Sequence, residues 1–138
     1  MSTSPATAQS ASPSAAPRSV GVPLPGREYD VLIGPKLIDA AGELIAQRLG
    51  ARRCGIVTDE NVAKAHLARL EASLAKSCKH AGSIVLKPGE ATKSFRELAP
   101  LSERLLEMGL ERGDLVVAFG GGVIGDLAGF AASILRRG

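Results

Sequence analysis

A continuous apolar strand running straight into a glycine cluster constrains this chain more than any other feature. Leu115-Val116-Val117-Ala118-Phe119 is followed at once by Gly120-Gly121-Gly122-Val123-Ile124-Gly125-Asp126. An apolar run rich in β-branched residues reads as a buried strand. Three glycines at its carboxyl end give the backbone room to turn sharply and to approach a bulky ligand. Val123, Leu127, Phe130, Ile134 and Leu135 then recur at helical spacing, so a helix should begin there with its free amides aimed at the glycines. Such an arrangement suits an anion such as the pyrophosphate of a dinucleotide. Gly120, Gly122 and Gly125 also satisfy G-x-G-x-x-G literally. A glycine-rich turn needed only for close helix–strand packing would give the same text. In an ordinary Rossmann half the motif lies in the first strand–turn–helix, with an acidic residue some way beyond it; here it falls late. Asp126 in the first helical turn favours the helix dipole but would repel an adjacent phosphate, and suits a hydroxyl partner better.

The elements before this point alternate. Tyr29, Val31 and Ile33 suggest a strand ended by Gly34-Pro35, and Leu37, Ala41, Leu44, Ile45 and Leu49 mark a helix stopped by Gly50. Cys54 to Thr58 reads as the next strand, with Asp59 placed to cap a helix whose inner stripe is Ala63, Leu67, Leu70 and Leu74. Ile84-Val85-Leu86 is a short strand. Ser94-Phe95-Arg96-Glu97 is a capping box opening a helix with Leu98, Leu101, Leu105 and Met108 inward, and Pro100 within it should kink it or move its start. The fold class is therefore α/β, a Rossmann-like parallel sheet with helices on both faces. Ligands bind such sheets outside the carboxyl ends of the strands. Three polar clusters fall at such ends: Thr58-Asp59-Glu60-Asn61, Glu90-Ala91-Thr92-Lys93, and the glycine run with Asp126. Asp59, Asn61 and Glu90 could meet ribose or base groups and Lys93 a phosphate, while capping and solvation account for each of them singly.

Composition sets the limits. Residues 1–25 are mostly Ser, Ala, Pro and Thr with Arg18 as the single charge, and are expected to be a disordered tail; residues 26–138 form the α/β domain. The tail has no apolar stretch of a secretory signal, and no segment reaches membrane-spanning length. A net charge of +3, one Tyr and no Trp argue against a nucleic-acid surface with aromatic platforms. Cys54 and Cys78 have no motif spacing and read as free thiols of a reducing, cytoplasmic compartment. His66 and His80 have no partner at metal-ligand spacing.

Three stretches carry a specific resemblance. They are Val57-Thr58-Asp59-Glu60-Asn61-Val62, Pro88-Gly89-Glu90-Ala91-Thr92-Lys93-Ser94, and Gly120 through Ser133 with Arg137-Gly138. With these the chain from about Gly26 onward resembles the N-terminal, NAD-binding domain of the 3-dehydroquinate synthases. The resemblance implies that cofactor contacts fall on Asp59, Asn61, Glu90, Lys93, Gly121, Gly122 and Val123. It implies that Asp126 lies where cofactor meets substrate, and that Arg137 binds the substrate. In that family a further, mostly helical domain supplies a Glu and two His ligands for zinc or cobalt, with more substrate contacts. The chain shows no counterpart of these, so it reads as a fragment holding neither catalytic nor metal-ligating residues, and no turnover is expected of it alone. The intact enzyme implied is a homodimer that binds no nucleic acid and no membrane. It is a lyase of the shikimate pathway, using NAD transiently to convert the sugar phosphate 3-deoxy-D-arabino-heptulosonate 7-phosphate to 3-dehydroquinate and phosphate. The alternatives are another sugar-phosphate cyclase such as a 2-deoxy-scyllo-inosose synthase, a more distant polyol dehydrogenase, or a non-catalytic nucleotide-binding remnant.

Overall fold

A computed structural model describes residues 16–135, and the chain divides into two compact units, the first running through Leu37 and the second beginning at Ile38. The first unit is an antiparallel hairpin. β1 (Arg18–Val22) pairs with β2 (Tyr29–Ile33) in the register Val20 opposite Val31 and Val22 opposite Tyr29. Because side chains alternate across a strand, Val20, Val22, Tyr29, Val31 and Ile33 share one face, opposite Ser19, Gly21, Asp30 and Leu32. Two corrections follow. Arg18–Val22 falls inside the stretch read as a disordered tail, yet it is a strand; its five residues gain their backbone partners from Tyr29–Ile33, which composition does not register. Residues 1–15 lie outside the described residues. The Tyr29 strand, read as part of the parallel sheet, belongs instead to this separate two-stranded one.

The second unit is a three-layer α/β/α arrangement. α1 (Leu37–Leu49) ends at Gly50, whose φ of +87° is a left-handed stop. Pro35 precedes the helix, and Lys36 takes a positive φ of 59°, so the proline sits in the entry turn and not in the first helical turn. β3 (Arg53–Asp59) leads into a helical stretch in three parts. These are α2 (Glu60–Val62), a π-helical segment Ala63–Leu67, and α3 (Ala68–Ser77). β4 (Lys79–Leu86) precedes a 3-10 turn at Glu90–Thr92, α4 (Phe95–Glu107), β5 (Leu115–Phe119) and α5 (Gly122–Ile134). The sheet is all parallel in the order β4-β3-β5.

β3 is thus central, and Cys54 through Thr58 are buried in succession, as expected of a strand covered on both faces. Cys54 and Ile56 join Leu70 and Leu74, with Ile38, Ala41 and Ile45 packed on them, so α1 and α3 cover one face. Val57, Ile84 and Leu86 join Leu98, Leu101, Leu105, Ile124, Leu127 and Ala131, so α4 and α5 cover the other. Helices on both faces were expected, and both faces have them.

Local choices fix the approach of each helix. Gly42 of α1 lies against α3 so closely that a Cβ there would clash with the Ser73 carbonyl oxygen. The Ser73 hydroxyl accepts from the Gly42 N–H at 2.9 Å and donates to the Asp39 carbonyl at 3.0 Å, and Arg69 pairs with Asp39 at 2.8 Å. Pro100 lies inside α4 without displacing its start at Phe95, because Ser94 still caps the helix by accepting from the Glu97 N–H at 3.3 Å. α5 faces the core through Ile124, Leu127, Ala128 and Ala131. Phe130 and Ile134, which recur at helical spacing with Leu127, are 51% and 55% exposed. The helix is apolar nearly all round, so sequence periodicity alone does not fix its buried stripe.

Candidate functional site

The sheet order selects one rim of the second unit. β3 continues into α3 on one face, whereas its neighbour β5 continues into α5 on the other. Adjacent strands whose following helices leave to opposite faces form a topological switch point, and a crevice opens outside their carboxyl ends. Thr58 and Phe119 are the last register pair of these strands. Asp59 and Asn61 therefore follow one wall of the crevice, and Gly120 through Val123 the other.

The glycine run turns without left-handed backbone. Among the described glycines, positive φ occurs at positions 26, 50, 82, 89, 109 and 113, and not at 120 to 122. The chain bends at Gly120 and Gly121 between β5 and α5, as the sharp-turn reading expected, without any left-handed φ. Gly120 has a packing reason, since a Cβ there would come within 3.0 Å of Ile124. Gly121 and Gly122 have none among the described residues: nothing there lies within 4 Å of a Cβ built at either position. Gly121 is the N-cap of α5, with no side chain satisfying the first amides of the helix. An open, unhindered surface of amide donors results.

Asp59 caps the helical stretch after β3, its carboxylate accepting from the Val62 N–H at 2.9 Å. Asn61 is exposed in the first turn of that stretch. On the α4–α5 side, the loop before α4 is built to present Lys93. Gly89 takes a φ of +104°, the buried Thr92 hydroxyl donates to the Lys87 carbonyl at 2.6 Å, and Lys93 ends the 3-10 turn that begins at Glu90. The Lys93 ammonium then reaches Asp126, one turn into α5 and not in the first turn where the sequence placed it, at 2.6 Å, both side chains being about half exposed. Hydrogen bonding and charge from Asp126, with a smaller contribution from Glu90, hold Lys93 above the usual lysine range. Sequence reading singled out both residues but not their pairing, which spans 33 positions. It gave Asp126 a hydroxyl as partner, whereas the partner present is an ammonium. Thr92, the pin of the loop, had no sequence signal beyond lying in the polar cluster.

Beside this ion pair lies a groove of about 330 Å³ lined by Lys93, Ser94, Phe95, Leu98, Asp126, Leu127 and Phe130. Its floor is apolar and its rim carries opposite charges. Of the expected site residues, Glu90, Lys93 and Asp126 lie together, Gly121, Gly122 and Val123 stand one helical turn from Asp126, and Asp59 and Asn61 follow the neighbouring strand. Arg137 lies outside the described residues. Among the described residues, no three His, Cys, Asp or Glu side chains converge to hold a metal ion. His80 instead shares a hydrogen bond with Ser83 at 3.0 Å, and Ser83 donates to Glu71 at 2.8 Å.

Comparison with known proteins places this arrangement. Residues 83–138 match the family model described as 3-dehydroquinate synthase N-terminal. The 3-dehydroquinate synthase of Brucella anthropi is 55% identical over 120 residues, covering 87% of this chain and 32% of that protein. Over this stretch the chain is similar to the N-terminal part of 3-dehydroquinate synthases. It spans about a third of the length of the curated 3-dehydroquinate synthases it matches. The fold also matches solved sugar-phosphate cyclases. A 2-deoxy-scyllo-inosose synthase superposes with a TM-score of 0.77 at 21% identity, over 88% of this chain and 34% of that one. The same kind of enzyme has been solved with carbaglucose-6-phosphate, NAD+ and Co2+. The 2-epi-5-epi-valiolone synthase of Streptomyces hygroscopicus subsp. jinggangensis, solved with NAD+ and Zn2+, gives 0.65 at 32% identity, over 79% and 30%. The likeness to 3-dehydroquinate synthases thus includes the glycine run, Glu90, Lys93 and Asp126 within the family-model match.

Proposed function

We propose that this chain forms the nucleotide-binding part of a 3-dehydroquinate synthase and that its cofactor is NAD. The observation that carries the proposal is the pair Gly121 and Gly122, which leave open space over the first amides of α5 that no packing among the described residues requires. A diphosphate fits such a surface, because it accepts from amide donors and tolerates no Cβ in its way. NAD when bound supplies reversible hydride transfer at a carbon bearing a hydroxyl.

The chain's own residues would do the rest of the binding. The amides of Gly122 and Val123 receive the diphosphate, and Lys93 offsets its charge from the side. Asp59 and Asn61, across the crevice, accept from and donate to ribose or base. Glu90 stands beside Lys93 and accepts from a ribose hydroxyl. Asp126 holds Lys93 in place and accepts from a hydroxyl of whatever enters the groove. Arg137 contributes a substrate contact. In the whole protein, the reaction proposed is the conversion of 3-deoxy-D-arabino-heptulosonate 7-phosphate to 3-dehydroquinate with release of phosphate. No metal ligand is assigned among the described residues.

Calorimetric titration with NAD+ tests the cofactor reading. Saturable one-to-one binding is expected, lost in Gly122→Val, a change whose side chain points into open space and should leave the fold intact. Equal affinity in that variant would overturn the reading. Phosphate release is expected of the whole protein and not of these 138 residues alone. A second reading, another sugar-phosphate cyclase, is favoured by the structural neighbours, and turnover of glucose 6-phosphate by the whole protein would select it.

A further inference from the structure

The chain has two cysteines, and the fold brings them together. Cys54 is the second residue of β3 and is completely buried. Cys78 is the C-cap of α3, half-buried and packed against the cluster formed by Cys54, Ile56, Leu70 and Leu74. Both thiols lie in this one cluster, Cys54 Sγ donating to the Arg52 carbonyl at 3.5 Å and Cys78 Sγ to the Gly42 carbonyl at 3.8 Å, at the start of neighbouring strands that pair Arg53 with Lys79. The backbone around them is stitched by the Lys79 N–H donating to the Arg52 carbonyl at 3.1 Å, which brings the start of β4 against the start of β3.

We propose that Cys54 and Cys78 are an oxidisable dithiol, closed by exchange with a small-molecule disulfide into a bond that staples the end of α3 to the central strand. The step balances. The Cys78 sulfur attacks one sulfur of the small disulfide, and the first small thiol leaves with a proton. The Cys54 sulfur then attacks the sulfur of Cys78, and the second small thiol leaves with the other proton. The protein loses two hydrogens and the small disulfide gains them.

The order of attack follows from access. Cys54 is sealed in the core, whereas Cys78 is reached from outside. Cys78 takes an extended conformation, φ −133° and ψ 172°, and so stands outside the helix that precedes it. The bond would close a loop holding α2, the π-helical segment and α3. Cross-linking a loop of that size restricts the unfolded chain and raises stability. Cys54 pairs with Leu115 and His80 at the beginnings of the strands, so the staple lies at the end of the sheet opposite the glycine run.

The test is to equilibrate the folded chain with oxidised glutathione and read intact mass, free thiols in denaturant, and melting temperature. The expected product has lost both free thiols, weighs about 2 Da less than the starting chain, melts higher, and reverts with dithiothreitol. Cys78→Ser, which leaves the core intact, should form no such bond and show no rise in melting temperature. A chain that keeps two free thiols would overturn the proposal. So would one that stops at glutathione attached to Cys78, or that links only between molecules.

Discussion

Thr58 is fully buried at the end of the central strand, and its Oγ1 has no hydrogen-bond partner among the described residues. A buried hydroxyl without a partner costs about 1–3 kcal/mol relative to an apolar group of the same shape. Thr58→Val keeps the branched shape and is expected to leave stability unchanged or raise it by about 1 kcal/mol, read by urea denaturation; Thr58→Ser should lower it. Cys54 carries a second prediction. Burial first, then the neighbouring Cys78 thiol, push its pKa from 9.0 up to about 12. The folded chain therefore holds that proton more tightly than the unfolded one. Its contribution to stability is complete below pH 9.0 and falls away as the pH rises towards 12. Reduced protein should lose stability with alkaline pH over that window, and Cys54→Ala should flatten the slope; an unchanged slope would count against the assignment. Single residues were also the level at which sequence reading worked best for the site. Asp59 and Ser94 announce themselves as caps by type and position, and both cap. The Lys93–Asp126 bond was not legible, because it depends on where two separate helices start in space.

At the scale of elements, α1 and α3 touch through a glycine. The Ser73 carbonyl already occupies the place of a Cβ on Gly42, and it is backbone, so it cannot swing aside. Gly42→Ala should force the helices apart and destabilise the chain by about 1–3 kcal/mol or more, measured as a fall in the urea midpoint. Gly129→Ala, on α5 with nothing within 4 Å, is the control and should be neutral or mildly stabilising. β3, α1, α4 and β5 were legible in outline because burial on two faces or one stripe leaves a clear pattern. β1 was not, since a five-residue strand beside Ser and Pro is formed by its partner. Nor was the π-helical segment at Ala63–Leu67, where a single extra residue per turn leaves the apolar spacing almost unaltered.

For the whole molecule, the apolar groove is the feature with consequences for handling. Phe95 is 83% exposed and Phe130 more than half exposed beside the Lys93–Asp126 pair, and Ile134, further along α5, is also more than half exposed. Exposed apolar side chains gathered in this way favour association. Light scattering after size exclusion is expected to show mass rising with concentration, and Phe95→Ser with Phe130→Ser should suppress that rise without lowering the melting temperature. A chain that stays monomeric at high concentration would remove the argument.

The position of β3 bears on how the molecule comes into being. It is the first of the three parallel strands to be made, yet it ends up in the middle. On a ribosome, α1, β3, α3 and β4 emerge as a unit that can pack one side at once. The other side of β3 must wait for Leu98, Leu101, Leu105 and finally α5. The crevice at the carboxyl ends lies between that early strand and the late β5, so it is the last part of the described fold to be completed.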